Sequence, residues 1–313
     1  MEYKVLGARG SIPVSGEKYV KYGGATACSY IAAGNKLIVL DCGSGIMGME
    51  EAAWQGKDIL ILVSHCHIDH LLGFTMSKIF FTEGAKVTVM APSYAGDVKA
   101  ALEGLLKEPL WPVGLSAFKA DVNFEVMPDE GVSVSFDSDD EPDIFITHRK
   151  IFHPGGACAY KVEIMNRAFE KSVRFGVSVE DNSEEIEDFL KYVLVYATDW
   201  EATLDDTDSF IEFAKGCDIL VIDGQYTDID RVLYNGYGHN SMREGAEIGR
   251  RLNADRTVIF HHAPFHDDEL LSSWEHDLQA MTIDGKEAKD GQKGLKYPGL
   301  VFAREGMVIP FAN

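Results

Sequence analysis

The chain has 313 residues, of which 46% are hydrophobic, and its formal net charge is −21. This length and apolar content can bury a substantial core, which excludes a disordered chain. The large negative charge repels the phosphate backbone of a nucleic acid and so disfavours a long polyanion as partner.

The sequence favours an intracellular, reducing compartment. No segment joins basic residues to a long apolar stretch, and no run of about eighteen apolar residues occurs, so neither a secretion signal nor a membrane span is expected. The five cysteines are odd in number, scattered along the chain and without a Cys-x-x-Cys pair, which favours reduced thiols. We therefore expect a cytoplasmic protein with no membrane partner.

Apolar strands alternate with helical stretches along the chain, which predicts a layered α/β fold in one elaborated domain over residues 1–313. Residues 28–31 and 37–40 predict a hairpin around a Gly-Asn turn. Two acidic segments, 136–143 and 180–188, are interpreted as surface insertions. The other predicted elements are helices over about 46–55 and 93–107 and strands over 59–63, 86–90, 192–196, 218–222 and 257–260.

The strand predicted over 59–63 leads directly into four candidate metal ligands, His65, His67, Asp69 and His70. In an extended segment His65 and His67 project to the same side, while Asp69 and His70 follow on the next turn and can face a second position. Imidazoles suit borderline divalent ions, and a carboxylate adds the charge that holds a second ion nearby. One loop can thus supply ligands to two ions, and strand alternation turns Cys66 away from them.

Later strands also end in candidate ligands. His153 follows Ile151 and Phe152 at the end of one strand, Asp199 follows the strand over 192–196, and two adjacent histidines, His261 and His262, follow the strand over 257–260. Adjacent side chains point in opposite directions, so only one of these two histidines is expected to face a shared site. The remaining candidates, His148 and His266, are interpreted as a bystander and a surface residue.

The His-x-His-x-Asp-His segment after a strand resembles the signature of the metallo-β-lactamase superfamily. The opening segments Gly7-Ala8-Arg9-Gly10-Ser11-Ile12-Pro13, Tyr22-Gly23-Gly24-Ala25-Thr26 and Asp41-Cys42-Gly43-Ser44-Gly45 are similar to those of its phosphodiesterase branch, which includes ribonuclease Z. The resemblance implies a four-layer αβ/βα sandwich, the metallo-β-lactamase fold, and a metal-dependent hydrolase.

The same resemblance implies two divalent ions that share Asp199 as a bridging ligand. The ribonuclease Z pattern places one histidine directly after the last apolar strand, which favours His261, and His262 would then support a ligand or face the substrate. Zinc is the expected metal, and manganese and iron stay open because they accept the same ligand types. The implied ligands are His65, His67, His153 and Asp199 for one ion, and Asp69, His70, Asp199 and His261 for the other.

Two residues are implied to be catalytic, Asp69 and His239. Asp69 would orient a hydroxide shared by the two ions, which attacks phosphorus in line. His239 lies in a segment that resembles the His-Ser-Thr segment of ribonuclease Z. The capping-box spacing of Ser241 and Glu244 places His239 just before a helix N-terminus, where an anion is favoured. It would protonate the leaving alkoxide, and the alternative is a solvent-facing imidazole beside the cap.

A further position departs from the family pattern. Asp223 stands where the ribonuclease Z branch carries a glutamate, which leaves its role in proton relay open.

The predicted function is a phosphodiesterase that acts on a small phosphodiester such as a cyclic nucleotide. The chain lacks the extended basic arm with which ribonuclease Z holds tRNA, and acidic residues interrupt its best lysine cluster, so a large nucleic acid is not expected. The alternatives are a carbonyl hydrolase for thioesters, lactones or β-lactams, a tRNA 3′-processing endonuclease, and a non-catalytic metal-bound carrier or sensor. Since relatives often dimerise, a homodimer is also expected. The lysine cluster comprises Lys286, Lys289, Lys293 and Lys296.

Overall fold

A computed structural model of the chain describes residues 1–134, 143–165, 191–280 and 299–311. Within these ranges fourteen strands form two seven-stranded sheets. Across the first sheet the strands are β14 (Val308–Pro310), β1 (Glu2–Gly7), β2 (Cys28–Ala33), β3 (Lys36–Leu40), β4 (Asp58–Leu62), β5 (Lys86–Ala91) and β6 (Asp121–Val126). Across the second they are β13 (Leu300–Phe302), β12 (Arg256–Phe260), β11 (Ile219–Asp223), β10 (Lys191–Ala197), β9 (Ala157–Met165), β8 (Asp143–Ile151) and β7 (Val132–Val134).

Six α-helices lie in the described ranges, and none of them is long and apolar enough to cross a bilayer. Both residues of the predicted capping box, Ser241 and Glu244, make their reciprocal hydrogen bonds at the start of one helix. The helices are α1 (Glu51–Trp54), α2 (Val98–Leu105), α3 (Leu204–Ala214), α4 (Asp228–Leu233), α5 (Met242–Leu252) and α6 (Asp268–Ala280).

The alternation of side chains along β10 shows how the layers are arranged. Leu194 and Tyr196 belong to an apolar cluster that also contains Val39 of the first sheet, so they lie between the two sheets. Val193 and Val195 point the other way and pack in a second cluster with residues of α3, α5 and α6. The predicted α/β sandwich, with helices packed outside facing sheets, is confirmed.

The carboxyl ends of the central strands meet at one edge of the sandwich. β3, β4 and β5 run parallel in the first sheet, and β10, β11 and β12 run parallel in the second. Three residues just beyond these ends have left-handed backbone conformations that are uncommon outside glycine, with φ of 58° at Asp41, 53° at Asp199 and 63° at His261. Such conformations cluster at functional sites, and this edge carries every candidate ligand.

The predicted strands and the hairpin of β2 and β3 are confirmed, whereas both predicted helices are shorter than expected. The stretch 46–55 divides into a 3₁₀ turn over Ser44–Gly48 and the single turn of α1, because Met49 is extended with ψ of 121°. The stretch 93–107 divides into a 3₁₀ turn over Ser93–Ala95 and α2, because Gly96 at φ 110° changes the chain direction between them. Both predicted acidic insertions lie outside the described residues, except that Asp143 begins β8.

Candidate metal centre

Asp199 lies at the centre of the histidine cluster. Its Oδ1 is 3.6 Å from His65 Nε2 and 3.7 Å from His153 Nε2. Its Oδ2 is 3.1 Å from His70 Nε2 and 3.2 Å from His261 Nε2. Each carboxylate oxygen therefore faces a different pair of imidazoles, an arrangement that suits a carboxylate shared by two ions.

The candidate ligands form two groups around this carboxylate. In the first, the ligand atoms of His65, His67, His153 and Asp199 all lie within 4.8 Å of one another, and His153 Nε2 is 3.0 Å from His67 Nδ1. The loop after β4 supplies two of these side chains, and the ends of β8 and β10 supply the others.

The second group comprises Asp69, His70 and His261, whose ligand atoms also lie within 4.8 Å of one another. Asp69 Oδ2 is 3.2 Å from His261 Nε2 and 3.3 Å from His70 Nε2. The first group has four members, including Asp199, and the second has three, so together they contain all seven residues that the sequence predicted as ligands. The structure thus brings segments separated by almost two hundred residues to one point.

The chemistry of these side chains fits divalent ions. His65 Nε2 is buried, and within the described part of the chain it has no hydrogen-bond partner. A buried nitrogen without a partner is costly, and a cation between the histidines and Asp199 would remove that cost. Burial lowers the pKa of His65 well below its usual range, which keeps the imidazole in the neutral form that binds metals. Burial would raise the pKa of Asp69, but His70 and His261 lower it, so the carboxylate is ionised.

Hydrogen bonds behind the ligands fix their orientation. The fully buried Asp41 accepts a hydrogen bond from His70 Nδ1 at 2.8 Å, which directs His70 Nε2 towards Asp199. Asp41 also accepts bonds from Ser64 N at 2.7 Å and from the hydroxyls of Ser64 and Tyr196 at 2.8 Å each. Sequence reasoning missed Asp41 as part of the site, although it follows an apolar strand just as the predicted ligands do.

His239 is held beside the ligands by Asp223. His239 Nδ1 lies 2.8 Å from Asp223 Oδ2, and its ring stacks on that of His261 at 5.1 Å between centroids. Asp223 also accepts bonds from Asn240 N at 2.9 Å and Asp199 N at 3.1 Å. Burial would lower the pKa of His239, but the contact with Asp223 raises it above its usual value. The imidazole is therefore buried and hydrogen-bonded, so the solvent-facing alternative is wrong.

A cavity of about 560 Å³ opens onto this cluster. Beyond the candidate ligands and His239, its wall includes Ser11, Ile68, Pro154 and Tyr237. None of the described residues that line it is a lysine or an arginine.

Two predictions about the other histidines are wrong. His262 neither supports a ligand nor faces the cavity, because its ring is buried against Tyr22 and Phe302 and its Nε2 lies 2.9 Å from the Ala303 carbonyl. His266 is only 2% exposed, so it is not a surface residue. Its Nε2 lies 3.0 Å from Asp230 Oδ2, and its carbonyl accepts a bond from Arg9.

Two other predictions agree with the geometry. His148 lies outside the cluster and bonds to the Tyr94 hydroxyl at 2.7 Å, as expected of a bystander. Cys66 is turned towards Gly96, where an added Cβ would come within 2.8 Å of its Sγ, and it is not part of either ligand group.

Comparison with known proteins gives consistent relatives. Ribonuclease Z of Picrophilus torridus is 24% identical over 289 residues, which cover 84% of this chain and 86% of that protein. Ribonuclease Z of Thermoplasma acidophilum is 25% identical over 256 residues, which cover 73% and 77%. These names denote RNA-cleaving enzymes, so the predicted exclusion of a large nucleic acid is not supported.

Solved structures share the fold. The metallo-β-lactamase fold protein YhfI from Bacillus subtilis is 17% identical, with 99% of both chains covered. The short form of human tRNase Z is 14% identical with 100% of both chains covered, and a diphosphatase from the PhnP family is 16% identical with 99% of this chain and 98% of that chain covered. Each has a TM-score of 0.59, and at these identities the likeness concerns the fold alone.

A family comparison covers the region that holds the candidate ligands. Residues 36–262 match the family described as the Beta-lactamase superfamily domain. This match includes the loop after β4, the ends of β8, β10 and β12, and the segment before α5. The chain therefore belongs to the metallo-β-lactamase superfamily, in its ribonuclease Z-like branch, and it is a metal-dependent hydrolase.

Proposed function

We propose that the chain is a dinuclear phosphodiesterase that acts on a small phosphodiester such as a cyclic nucleotide. The observation that carries the proposal is the pair formed by His239 and Asp223, which lies directly beside the candidate ligands and at the wall of the open cavity. Zinc is our first choice of ion, and manganese and iron are the alternatives. The ligands that we assign are His65, His67, His153 and Asp199 for one ion, and Asp69, His70, Asp199 and His261 for the other.

Ions bound there would activate a water molecule and neutralise the charge of the phosphoryl group. On the protein side, Asp69 would accept a hydrogen bond from the resulting hydroxide and so orient it. Its Oδ2 already accepts a hydrogen bond from Ser11 N at 2.7 Å, which fixes the carboxylate at the cavity wall. The positive φ of 64° at Ser11 aims this N–H at Asp69. A carboxylate held in this way is positioned to orient the attacking hydroxide.

His239 would act on the opposite side of the phosphorus atom. Because Asp223 occupies Nδ1, the other ring nitrogen, Nε2, is left for the cavity. As the bond from phosphorus to the leaving oxygen breaks, the proton on Nε2 would pass to that oxygen. An alkoxide is a poor leaving group, so this proton matters more for a phosphodiester than for a thioester, whose thiolate leaves more readily. Asp223 would thus take the supporting role that the family gives to a glutamate.

The size of the substrate distinguishes the two candidate functions. The described part of the cavity wall contains no lysine or arginine, and this lining and the net charge of −21 favour a small phosphodiester. Relatives named ribonuclease Z favour an RNA endonuclease as the second candidate. The lysine cluster that bears on this choice, Lys286 to Lys296, lies outside the described residues.

The first experiment is an assay of the protein loaded with zinc, manganese or iron on bis-p-nitrophenyl phosphate, with a precursor tRNA, a thioester and a lactone in parallel. A cyclic nucleotide, whose leaving group is an alkoxide, is assayed beside them. On it the variant His239→Ala should lose about 10²–10⁴-fold in turnover. The variant should lose much less on bis-p-nitrophenyl phosphate, whose nitrophenolate leaves without a proton, and should scarcely change thioester hydrolysis. Asp69→Ala should abolish both phosphodiester and thioester hydrolysis, and His148→Ala, a histidine outside the cluster, should abolish neither. The proposal fails if no divalent ion supports phosphodiester turnover, and cleavage of the precursor tRNA alone would favour the second candidate.

The cellular setting remains a proposal as well. All five cysteines are free thiols, and four of them are buried, which agrees with a reducing compartment such as the cytoplasm. A homodimer, expected from the resemblance, can be tested by light scattering on the purified protein.

A further inference from the structure

Tyr237 presents an exposed aromatic ring at the wall of the cavity. Its side chain is 64% exposed, although aromatic rings are among the groups that burial stabilises most. Glycines with left-handed backbones lie on both sides, with φ of 89° at Gly236 and 91° at Gly238. Other residues rarely adopt this conformation, so the two glycines form a sharp bend that has Tyr237 at its tip.

The bend is held in place by Glu201, a carboxylate that is only 5% exposed. Glu201 accepts hydrogen bonds from Gly236 N at 2.9 Å and from Gly238 N at 2.8 Å, and Arg231 Nη1 lies 3.1 Å from it. A buried charge is tolerated only when it is paired and hydrogen-bonded in this way. The tip of the bend therefore has a fixed position.

The other side of the bend is tied to the metal centre. The Gly238 carbonyl lies 2.9 Å from His153 Nδ1, and an added Cβ at Gly238 would come within 2.1 Å of that nitrogen. The ring of Tyr237 also rests edge-on against Tyr234 at 5.7 Å between centroids. The distance from the aromatic ring to the candidate ligand His153 is thus preset, and little ordering would be needed when a ligand binds.

The chemistry of the cavity indicates what this ring is for. Among the described residues that line the wall, the candidate ligands and His239 are the groups that can attract a phosphate, since the others include no lysine or arginine. The rest of the ligand would meet Tyr237 and the half-exposed Ile68, beside Pro154. Stacking on an aromatic ring recognises any planar group without the help of charge.

We propose that Tyr237 is a stacking platform for a planar group of the substrate, such as a nucleobase, when the phosphate lies at the metal centre. The inference rests on the proposed phosphodiesterase function, because it concerns the same cavity. It narrows the substrate class to small phosphate esters that carry a planar ring.

The test compares the binding of adenosine 5′-monophosphate and ribose 5-phosphate to the metal-loaded protein by calorimetry. The two probes share the sugar phosphate and differ only in the base. We expect the wild type to bind the nucleotide about fivefold or more tightly, the lower range of base–aromatic stacking. Tyr237→Ala should bring the ratio of the two Kd values close to one, and Tyr237→Phe should retain it.

A matched control is Phe145→Ala, which removes a 42% exposed aromatic ring of β8 that does not line the cavity and should leave the ratio unchanged. If Tyr237→Ala does not fold, Tyr237→Leu provides the same comparison. Equal affinities in the wild type, or an unchanged ratio in the truncated variants, would overturn the inference. Phosphodiester turnover is measured separately, so a lack of turnover with an intact binding ratio would refute only the proposed reaction.

Discussion

Replacement of Asp41 by asparagine tests whether the buried hydrogen bonds behind the ligands control metal binding. Asp41 Oδ2 accepts bonds from three groups, His70 Nδ1, the Tyr196 hydroxyl and the Ser64 hydroxyl, each at 2.8 Å. In Asp41→Asn an NH₂ group can take the place of this oxygen, since Oδ1 must still accept from Ser64 N. The two hydroxyls can rotate and accept from the amide, but an imidazole cannot rotate a proton away.

The asparagine therefore leaves two possible arrangements of the protons at His70. In one, the proton moves from Nδ1 to Nε2 and blocks the nitrogen that faces Asp199. In the other, the Nδ1–H stays in place and faces the NH₂ group of the asparagine, so two buried donors face each other. The first outcome removes a metal ligand, and the second destabilises the fold. Changes to such supporting groups weaken metal binding by about 10–100-fold. An unsatisfied buried group lowers the free energy of unfolding by about 1–3 kcal/mol.

The assay is a competition titration of zinc against a chromophoric chelator, with thermal unfolding of the metal-free protein measured in parallel. Tyr196→Phe is the matched control, because it removes one donor to the same oxygen and leaves the bond to His70 intact. We expect this control to lose about 1 kcal/mol of stability and to change zinc affinity less than threefold. If both the zinc affinity and the stability of Asp41→Asn equalled those of the control, the reasoning would be refuted.

Three further changes probe the site and its surroundings. In Gly10→Ala the new Cβ would lie 2.4 Å from the His261 ring, so metal content measured by elemental analysis should fall while the circular dichroism spectrum stays unchanged. His261→Ala should also lose metal. His262→Ala should keep its metal and lose about 1–3 kcal/mol of stability in denaturant titrations. Metal loss in His262→Ala alone would reverse our assignment of the ligand. Burial and the hydrogen bond to Glu275 raise the pKa of Tyr22 to about 12 from an ordinary 10, so the unfolded chain releases this proton first as pH rises. The free energy of unfolding should thus fall by about 2–3 kcal/mol between pH 10 and pH 12. In an alkaline unfolding titration, Tyr22→Phe should lack this decrease.

Much of the site could be predicted because its ligands follow apolar strands. A buried strand of a parallel sheet is a nearly continuous apolar run, so its carboxyl end is visible in the sequence. Asp199 stands within two residues of such an end, and the resemblance gave the order of the ligands. His153 follows β8, an antiparallel strand with polar residues, so its assignment depended on the resemblance. The helix predicted over 46–55 failed for a local reason, because glycines at 43, 45 and 48 favour turns over a continuous helix.

The positions of His262 and His266 could not be read from the sequence, because they depend on Arg9. This guanidinium is fully buried and donates to the carbonyls of Gly23, Ala263 and His266. The Arg9 guanidinium thereby joins the start of the chain to the segment after β12, in which His262 and His266 are buried. No local pattern signals that an arginine near the N-terminus will be buried, since arginine is almost never fully buried unless it is paired.

The charges of the candidate ligands explain how a strongly acidic chain could bind an anion. Two divalent ions carry four positive charges, and only two carboxylates, Asp69 and Asp199, contact them directly in the proposed arrangement. The other ligands are imidazoles, and burial keeps those of His65 and His153 neutral by lowering their pKa. A loaded centre would thus be locally positive inside a protein of net charge −21, and screening confines that attraction to roughly 10 Å. A single phosphodiester can lie wholly within that distance, whereas most phosphates of a long RNA would face the acidic surface, which is why we prefer the smaller substrate.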